Sequence, residues 1–471
     1  MNLIIDNKHN KKKCQKFTPL NEVKDMLDLA GYTYGLFGKT VLEYSFGSGN
    51  IIKQIVKRYI EDALSQNIAA DFISTGLATD IYGIELDRQL YNECIRELDK
   101  IVNDYRIPCV KWSFLCADTL QWTTNLRFDF IIGNPPYISY HDIDEANRKY
   151  IRQNFSTCKK GKFDYCYAFL EKGVDLLAPR GKMVQLIPSN IYKNVFADKI
   201  RKKLLPGVST VWEYPNNQLF EDTLTSSSLL VYENRNSIRT INYRVMPKSK
   251  TVQIEKKLLE DKWVFLNTNI GRKKTVRFGN RYHASISVAT QLNEAFIVKG
   301  ENSIEPECLR NAAAPRTLRY KKREQIIFPY YYDDKNTLMR YEESTFKSRF
   351  PRAYEHLSVF KDRLIERDSD KSANWYEYGR SQALSHLNQE KLLLSTVITN
   401  AVEVYYLTVE DIPYSGIYIT VSDGKSSLQD ALSILQSEDF LDYISSHGLS
   451  VSGKSKRITC KDINDYQFEE L

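Results

Sequence analysis

The stretch Phe128-Asp129-Phe130-Ile131-Ile132-Gly133-Asn134-Pro135-Pro136-Tyr137 constrains this chain more than any other. The apolar run around Asp129 reads as a buried parallel strand, and Gly133 ends it at the edge where open α/β sheets place their ligands. Two successive prolines have no N–H to donate and stiffen the backbone. The Pro135 carbonyl and the Asn134 side-chain oxygen can therefore converge on one amino group. Tyr137 adds a ring on which a planar group can stack. Such a set suits a reaction on a planar NH2, methyl transfer among them, better than attack by an enzyme nucleophile.

Upstream, Thr40–Glu43 reads as a short strand and Tyr44-Ser45-Phe46-Gly47-Ser48-Gly49-Asn50 as a turn opening a helix from Ile51 to about Leu64. Glycines there let the backbone approach a ligand at a helix N-terminus. Ile81–Asp87 predicts a second strand carrying Glu85 near its end, where dinucleotide-type folds hold ribose hydroxyls on a carboxylate. A third strand, near Trp112 to Cys116, runs into Ala117-Asp118-Thr119, and Asp118 is placed to accept an adenine amino group of a cofactor.

In this order, the Gly turn, the acidic strand end, the Asp and Asn-Pro-Pro-Tyr resemble the adenine-N6 DNA methyltransferases of restriction-modification systems. The likeness is to the gamma arrangement, with the catalytic domain first. Lys16-Phe17-Thr18-Pro19 resembles the element that covers the methionine part of S-adenosylmethionine in that family, and Phe163–Glu171 with Gly181–Pro188 resembles its next helix and strand. The resemblance spans about residues 11 to 235 and implies a Rossmann-like α/β fold binding S-adenosyl-L-methionine. It implies cofactor contacts at Phe17, Thr18, Pro19, Glu43, Gly47, Gly49, Glu85, Leu86, Asp118, Thr119 and Asn134, and catalytic roles for Asn134, Pro135, Tyr137 and Phe196. Phe196 is the candidate second face for a flipped base, with Tyr192 as fallback. Tyr44 stands where the family more often has Pro, and Phe46 precedes the glycine, which leaves the role of Tyr44 open.

Past Tyr232-Glu233-Asn234 the strand–helix alternation fades, predicting a boundary near Asn236 to Thr251: a catalytic domain over 1–240 and a mixed α+β target-recognition domain over 241–471. Cations interleave with aromatics at Arg272, Lys273, Lys274 and Arg277, and again at Arg316 and Arg319, as phosphate and base contacts require. Asn374-Trp375-Tyr376-Glu377-Tyr378-Gly379-Arg380 is similar to a segment of the family's recognition domains, so Trp375 and Arg380 join the DNA-binding candidates; a helix is expected just before it, Tyr354 to Arg367.

The 471 residues are 42% hydrophobic, enough for two cored domains, and the net charge of +7 requires any basic surface to be local. Eight scattered cysteines without Cys-x-x-Cys spacing argue for reduced thiols and no structural metal. No apolar run approaches membrane-spanning length and the N-terminus is not signal-like, so a cytoplasmic monomer acting on double-stranded DNA is expected, without a membrane partner and without a fused nuclease. The family leaves room for a separate restriction endonuclease acting on the same site. Asn-Pro-Pro-Tyr also occurs in enzymes that methylate a protein glutamine amide or adenine in RNA; these rarely carry so long a C-terminal extension, so length favours DNA.

Overall fold

Short apolar strands alternating with amphipathic helices build the first of two units, which divide after Phe265 in a computed structural model. The structure describes residues 18–214, 226–235, 238–247, 249–259, 261–265 and 275–469. In the first unit, α1 (Leu20–Ala30) leads to β1 (Val41–Glu43), α2 (Asn50–Ser65), α3 (Ala70–Asp80), β2 (Ile81–Glu85), α4 (Arg88–Asp104), β3 (Ser113–Cys116) and β4 (Phe128–Gly133). Then follow α5 (Glu145–Asn154), α6 (Tyr165–Leu176), β5 (Leu177–Pro188), α7 (Asp198–Leu204), β6 (Val208–Tyr214), β7 (Ser227–Glu233), β8 (Thr240–Val245) and β9 (Val252–Glu255).

The nine strands form one sheet in the order β3-β2-β1-β4-β5-β7-β6-β8-β9. Strands β3 to β5 in that order are parallel, whereas β7 runs antiparallel to both β5 and β6. Burial on both faces explains the apolar runs of the parallel strands, since helices cover each side. Helix α2 buries Ile51, Ile52, Ile55, Val56, Tyr59, Ile60 and Ala63 on the sheet-facing stripe, and each large aliphatic so buried contributes about 1.5–3 kcal/mol. Asp87 caps α4 by accepting from the N–H groups of Gln89 and Leu90.

The boundary expected at residues 236–251 falls later. Strands β8 and β9 continue the sheet, with β8 parallel to β6, and the aromatic ring of Phe265 stacks on Tyr243 of β8 at 4.7 Å. In these peripheral strands only Ile241 and Tyr243 are fully buried, with Val245 and Ile254 half-buried against the core, so they lack the continuous hydrophobic run that marks the central strands.

The second unit, from Leu266 on, is a mixture of strands and helices. One four-stranded sheet contains Tyr282–Ile286, Ile417–Val421, Lys391–Leu394 and Val404–Leu407; another contains Ile297–Val298, Gln325–Ile327, Leu309–Ala313 and Asp411–Pro413. The helix expected over 354–367 is two, Pro351–Ser358 and Lys361–Ile365. The N–H of Phe360 donates to Leu357 O at 3.0 Å, a tight turn between them that leaves Leu357 and Leu364 both in the core. Among the described residues, no helix is long and apolar enough to cross a membrane.

Candidate active site

Parallel topology brings the ends of β1, β2, β3 and β4 to one sheet edge, and the sequence candidates collect there. Gly47 and Gly49 adopt φ of 54° and 87°, the left-handed region that favours glycine. A Cβ on Gly49 would lie 2.5 Å from Cys94 Sγ, so α4 packs directly against the turn. The N–H of Gly47 donates to Glu85 Oε2 and that of Asp87 to Oε1, both at 2.8 Å. Glu85 is thereby fixed in direction, and each carboxylate oxygen keeps a further lone pair for a ligand hydroxyl. Burial raises its pKa above the usual carboxylate value, and those backbone bonds oppose the rise.

Leu86, next to Glu85, is 51% exposed. Asp118 Oδ1 accepts from the Leu120 N–H and Oδ2 from Gln121 Nε2, each at 2.9 Å. Thr119 is buried and its hydroxyl donates to the Tyr44 carbonyl, so it ties the third strand's exit to the Gly turn. Lys172 on α6 supports the same loop, its ammonium donating to the carbonyls of Leu120 and Trp122.

At the end of β4, Asn134 is held from two sides. Its Nδ2 donates to Thr18 Oγ1 at 3.2 Å, and Ser45 Oγ of the Gly turn donates to its carbonyl at 3.2 Å. Asn50 Nδ2 donates to the Thr18 carbonyl at 3.1 Å, so residues 18, 45, 50 and 134 form one network. Thr18 is buried and Pro19 exposed; Phe17 lies outside the described residues. Pro135 is buried, and the N–H of Tyr165 donates to Ile138 O at 3.0 Å, pinning the Pro-Pro-Tyr loop to the start of α6. The Tyr137 hydroxyl is buried, and burial raises its pKa well above that of an ordinary tyrosine. Asp164 caps α6 through the Cys166 N–H, and burial pushes its carboxyl up to about 6.

Glu43 is 1% exposed, and burial first, then the nearby Glu85 charge, raises its carboxyl well above the usual range. Its neighbour Gln185 on β5 is fully buried, and neither side-chain amide atom has a partner among the described residues. A Cβ on Gly133 would sit 3.6 Å from the Gln185 amide and 3.7 Å from Glu43 Cγ. The Gln185 amide and the Glu43 side chain thus both lie beside Gly133, the residue before Asn134. Sequence reasoning passed over Gln185, although a lone amide in Met183-Val184-Gln185-Leu186-Ile187 was a visible signal. Ser45 and Asn50 were missed because only the fold brings them to Asn134 and Thr18.

The two aromatic candidates separate. Tyr192 is 2% exposed, its hydroxyl bonds Ser228 Oγ at 2.7 Å and its ring stacks on Trp263, which makes it a core residue. Phe196 is 41% exposed on a short 3-10 turn, against Gly161. The rings of Tyr44 and Phe46 are also core groups: Tyr44 meets Phe169 edge to face at 5.3 Å, and Phe46 meets Phe114 at 5.6 Å.

In the second unit the cationic candidates occupy different elements. Arg272, Lys273 and Lys274 lie outside the described residues. Arg277 pairs with Asp465, Arg319 lies 3.5 Å from Glu403, and Arg316 with residues 319–323 forms an exposed basic run. Trp375 donates through Nε1 to Glu343 at 2.9 Å and carries Lys361 over its ring, while Arg380 is exposed, 3.5 Å from Asp368. Among the described residues, no group of three or more His, Cys, Asp or Glu could hold a metal ion.

Residues 52–220 match the family model described as Eco57I restriction-modification methylase. The chain is 26% identical over 334 residues to the type II restriction enzyme and methyltransferase RM.Eco57I of Escherichia coli, covering 59% of this chain and 33% of that protein. It is 28% identical over 261 residues to the type II methyltransferase M.BstVI of Geobacillus stearothermophilus, covering 52% and 45%. The chain therefore spans a third to a half of the length of these curated relatives. Among solved structures, the type IIL restriction-modification enzyme MmeI in complex with DNA matches with a TM-score of 0.62 at 12% identity, over 95% of this chain and 65% of that one. A nuclease-deletion mutant of the type ISP enzyme LlaGI matches at 0.53 and 11% identity, over 93% and 44%. At such identities the likeness is one of fold. The family match covers the acidic strand end, the Asp118 loop and Asn-Pro-Pro-Tyr, and over this segment, residues 52–220, the chain is similar to the Eco57I restriction-modification methylases.

Proposed function

We propose that this chain is an S-adenosylmethionine-dependent DNA methyltransferase, the modification activity of a restriction-modification system, which methylates N6 of an adenine flipped out of the duplex. The observation that carries the reading is the fixed Asn134 amide. Because its Nδ2 donates to Thr18, its oxygen is the end that serves as acceptor toward a substrate amino group. Glu85, Asp118 and the Gly47–Gly49 turn would hold the cofactor's ribose, adenine and methionine parts, with Thr18 and Pro19 beside them. When bound, the cofactor supplies a sulfonium methyl, an electrophile that leaves a neutral thioether.

The N6 lone pair of adenine is delocalised into the ring, so it must be drawn toward tetrahedral geometry before it can accept a methyl. The Asn134 oxygen and the Pro135 carbonyl bind the two N–H hydrogens more strongly as positive charge develops on nitrogen, which stabilises the transition state over the ground state. The extra proton then leaves N6 for solvent, and no covalent enzyme intermediate forms. These acceptors cannot reach a base inside a helix, so the adenine leaves the stack and lies between Tyr137 and Phe196. The second unit supplies sequence selection in this reading, which makes the domain order gamma. The relatives named as a type II restriction enzyme and methyltransferase and as a type II methyltransferase, with MmeI described in complex with DNA, support DNA as substrate. Incubation with labelled S-adenosylmethionine and duplex DNA tests it: label on DNA supports the proposal, and label confined to protein or RNA refutes it.

A further inference from the structure

Phe196 is presented by a loop that one buried guanidinium holds from behind. Arg201, on α7, is 3% exposed, and its Nη1 donates to the carbonyls of Ile191 and Asn194, each at 2.7 Å. Asn194 passes the constraint forward: its side-chain oxygen accepts the Phe196 N–H at 3.0 Å, and its carbonyl accepts the Ala197 N–H at 3.1 Å. On the far side, Gly161 at φ 80° lets the ring come close, since a Cβ there would lie 2.5 Å from Phe196 Cδ1. Ring and loop are thus set before any substrate arrives.

The chemistry is costly for a residue that only fills space. Removing a cation from water is costly, and here carbonyls, rather than a carboxylate at bonding distance, take the guanidinium protons among the described residues. An apolar side chain would avoid that penalty but would take this donor away from the Ile191 and Asn194 carbonyls. What the charge adds is direction, two carbonyls aimed at one point, and with it the position of the Asn194–Phe196 turn.

We propose that Arg201 is a positioning residue for the target base, presetting Phe196 so that an extruded base finds its stacking face formed; this rests on the base-flipping reading above. The test uses the full chain and a duplex carrying 2-aminopurine, or adenine, at the methylated position. Arg201→Met should bind S-adenosylmethionine within about twofold of wild type, lose most of the 2-aminopurine fluorescence rise, and methylate a paired adenine about tenfold more slowly. Placing an abasic site opposite the adenine lowers the cost of extrusion and should restore the variant to within about threefold of wild type. A purely structural role would depress both substrates equally, and that result, or an unimpaired variant, overturns the inference. If Arg201→Met does not fold, Arg201→Lys, which keeps the charge but not the fork, is judged by the same ratio of paired to abasic rates. Wild-type protein that shows no fluorescence rise and no adenine methylation would instead overturn the base-flipping reading itself.

Discussion

Asn134 Nδ2 donates to Thr18 Oγ1 at 3.2 Å across 116 positions of sequence, so the residue that begins the candidate acceptor pair is oriented by the segment that precedes α1. The bond couples the segment before α1 to the loop after β4. Thr18→Val should remove it while keeping the shape, cost about 0.5–1.5 kcal/mol of orientation, and lower the transfer rate roughly three- to tenfold. Thr18→Ser should retain most activity. Single-turnover rates at saturating cofactor measure both.

Asn134→Ala removes the acceptor itself. Its expected effect is a fall of on the order of a hundredfold or more in methyl transfer, comparable to removal of one preorganised oxyanion-type donor, with cofactor affinity little changed. Turnover close to wild type would end the assignment of Asn134 as an acceptor.

Glu85→Ala should weaken S-adenosylmethionine binding by about 1.5–3 kcal/mol, the range for hydrogen bonds to a charged group. The Gly47 N–H loses its partner in the same variant, so the melting temperature should fall as well. Asp118→Ala should weaken binding less, through a single amino group. Calorimetry orders the two, and an unaltered affinity in Glu85→Ala would contradict its placement.

Lys172 predicts a pH dependence. Burial pushes its ammonium down from 10.5 to about 8, so between those values the unfolded chain holds a proton that the folded chain has released. Stability from this group therefore rises as pH climbs from about 8 toward 10.5, the sign for a depressed lysine. Thermal melts of wild type and Lys172→Met over that range isolate the contribution: the difference between the two should change with pH there and be flat below it.

Double replacement of Arg316 and Arg319 by Gln should weaken binding to all duplexes alike and reduce the salt slope by about one for each phosphate no longer neutralised. Titrations at several salt concentrations on matched and unmatched duplexes read it. Weakening confined to one base position would make these residues base readers instead.

The elements that carry the candidate site were legible in the sequence for a physical reason. Parallel strands buried on both faces must be apolar throughout, so β1, β2, β4 and β5 stand out, and turns that need left-handed φ show as Gly47 and Gly49. Strands β8 and β9 escaped because strands at the margin of the sheet bury only a few inward residues, and the division of the chain shifted with them. Side-chain networks escaped for another reason: Thr18, Ser45, Asn50 and Asn134 are distant in sequence and ordinary as residue types, and only the sheet order joins them. Tyr44 and Phe46 looked like departures in a binding turn, yet their rings are buried in the core, so the departure serves packing. Phe17, Arg272, Lys273 and Lys274 fall outside the described residues.

The central claim, methyl transfer to adenine N6, is tested most directly by sequencing and nucleoside analysis of unmethylated plasmid DNA after incubation with the full chain and S-adenosylmethionine. The account predicts N6-methyladenine at one recurring sequence and none with Asn134→Ala. Methylated cytosine in its place, or DNA left unmodified while a protein glutamine or RNA takes the methyl group, would contradict it.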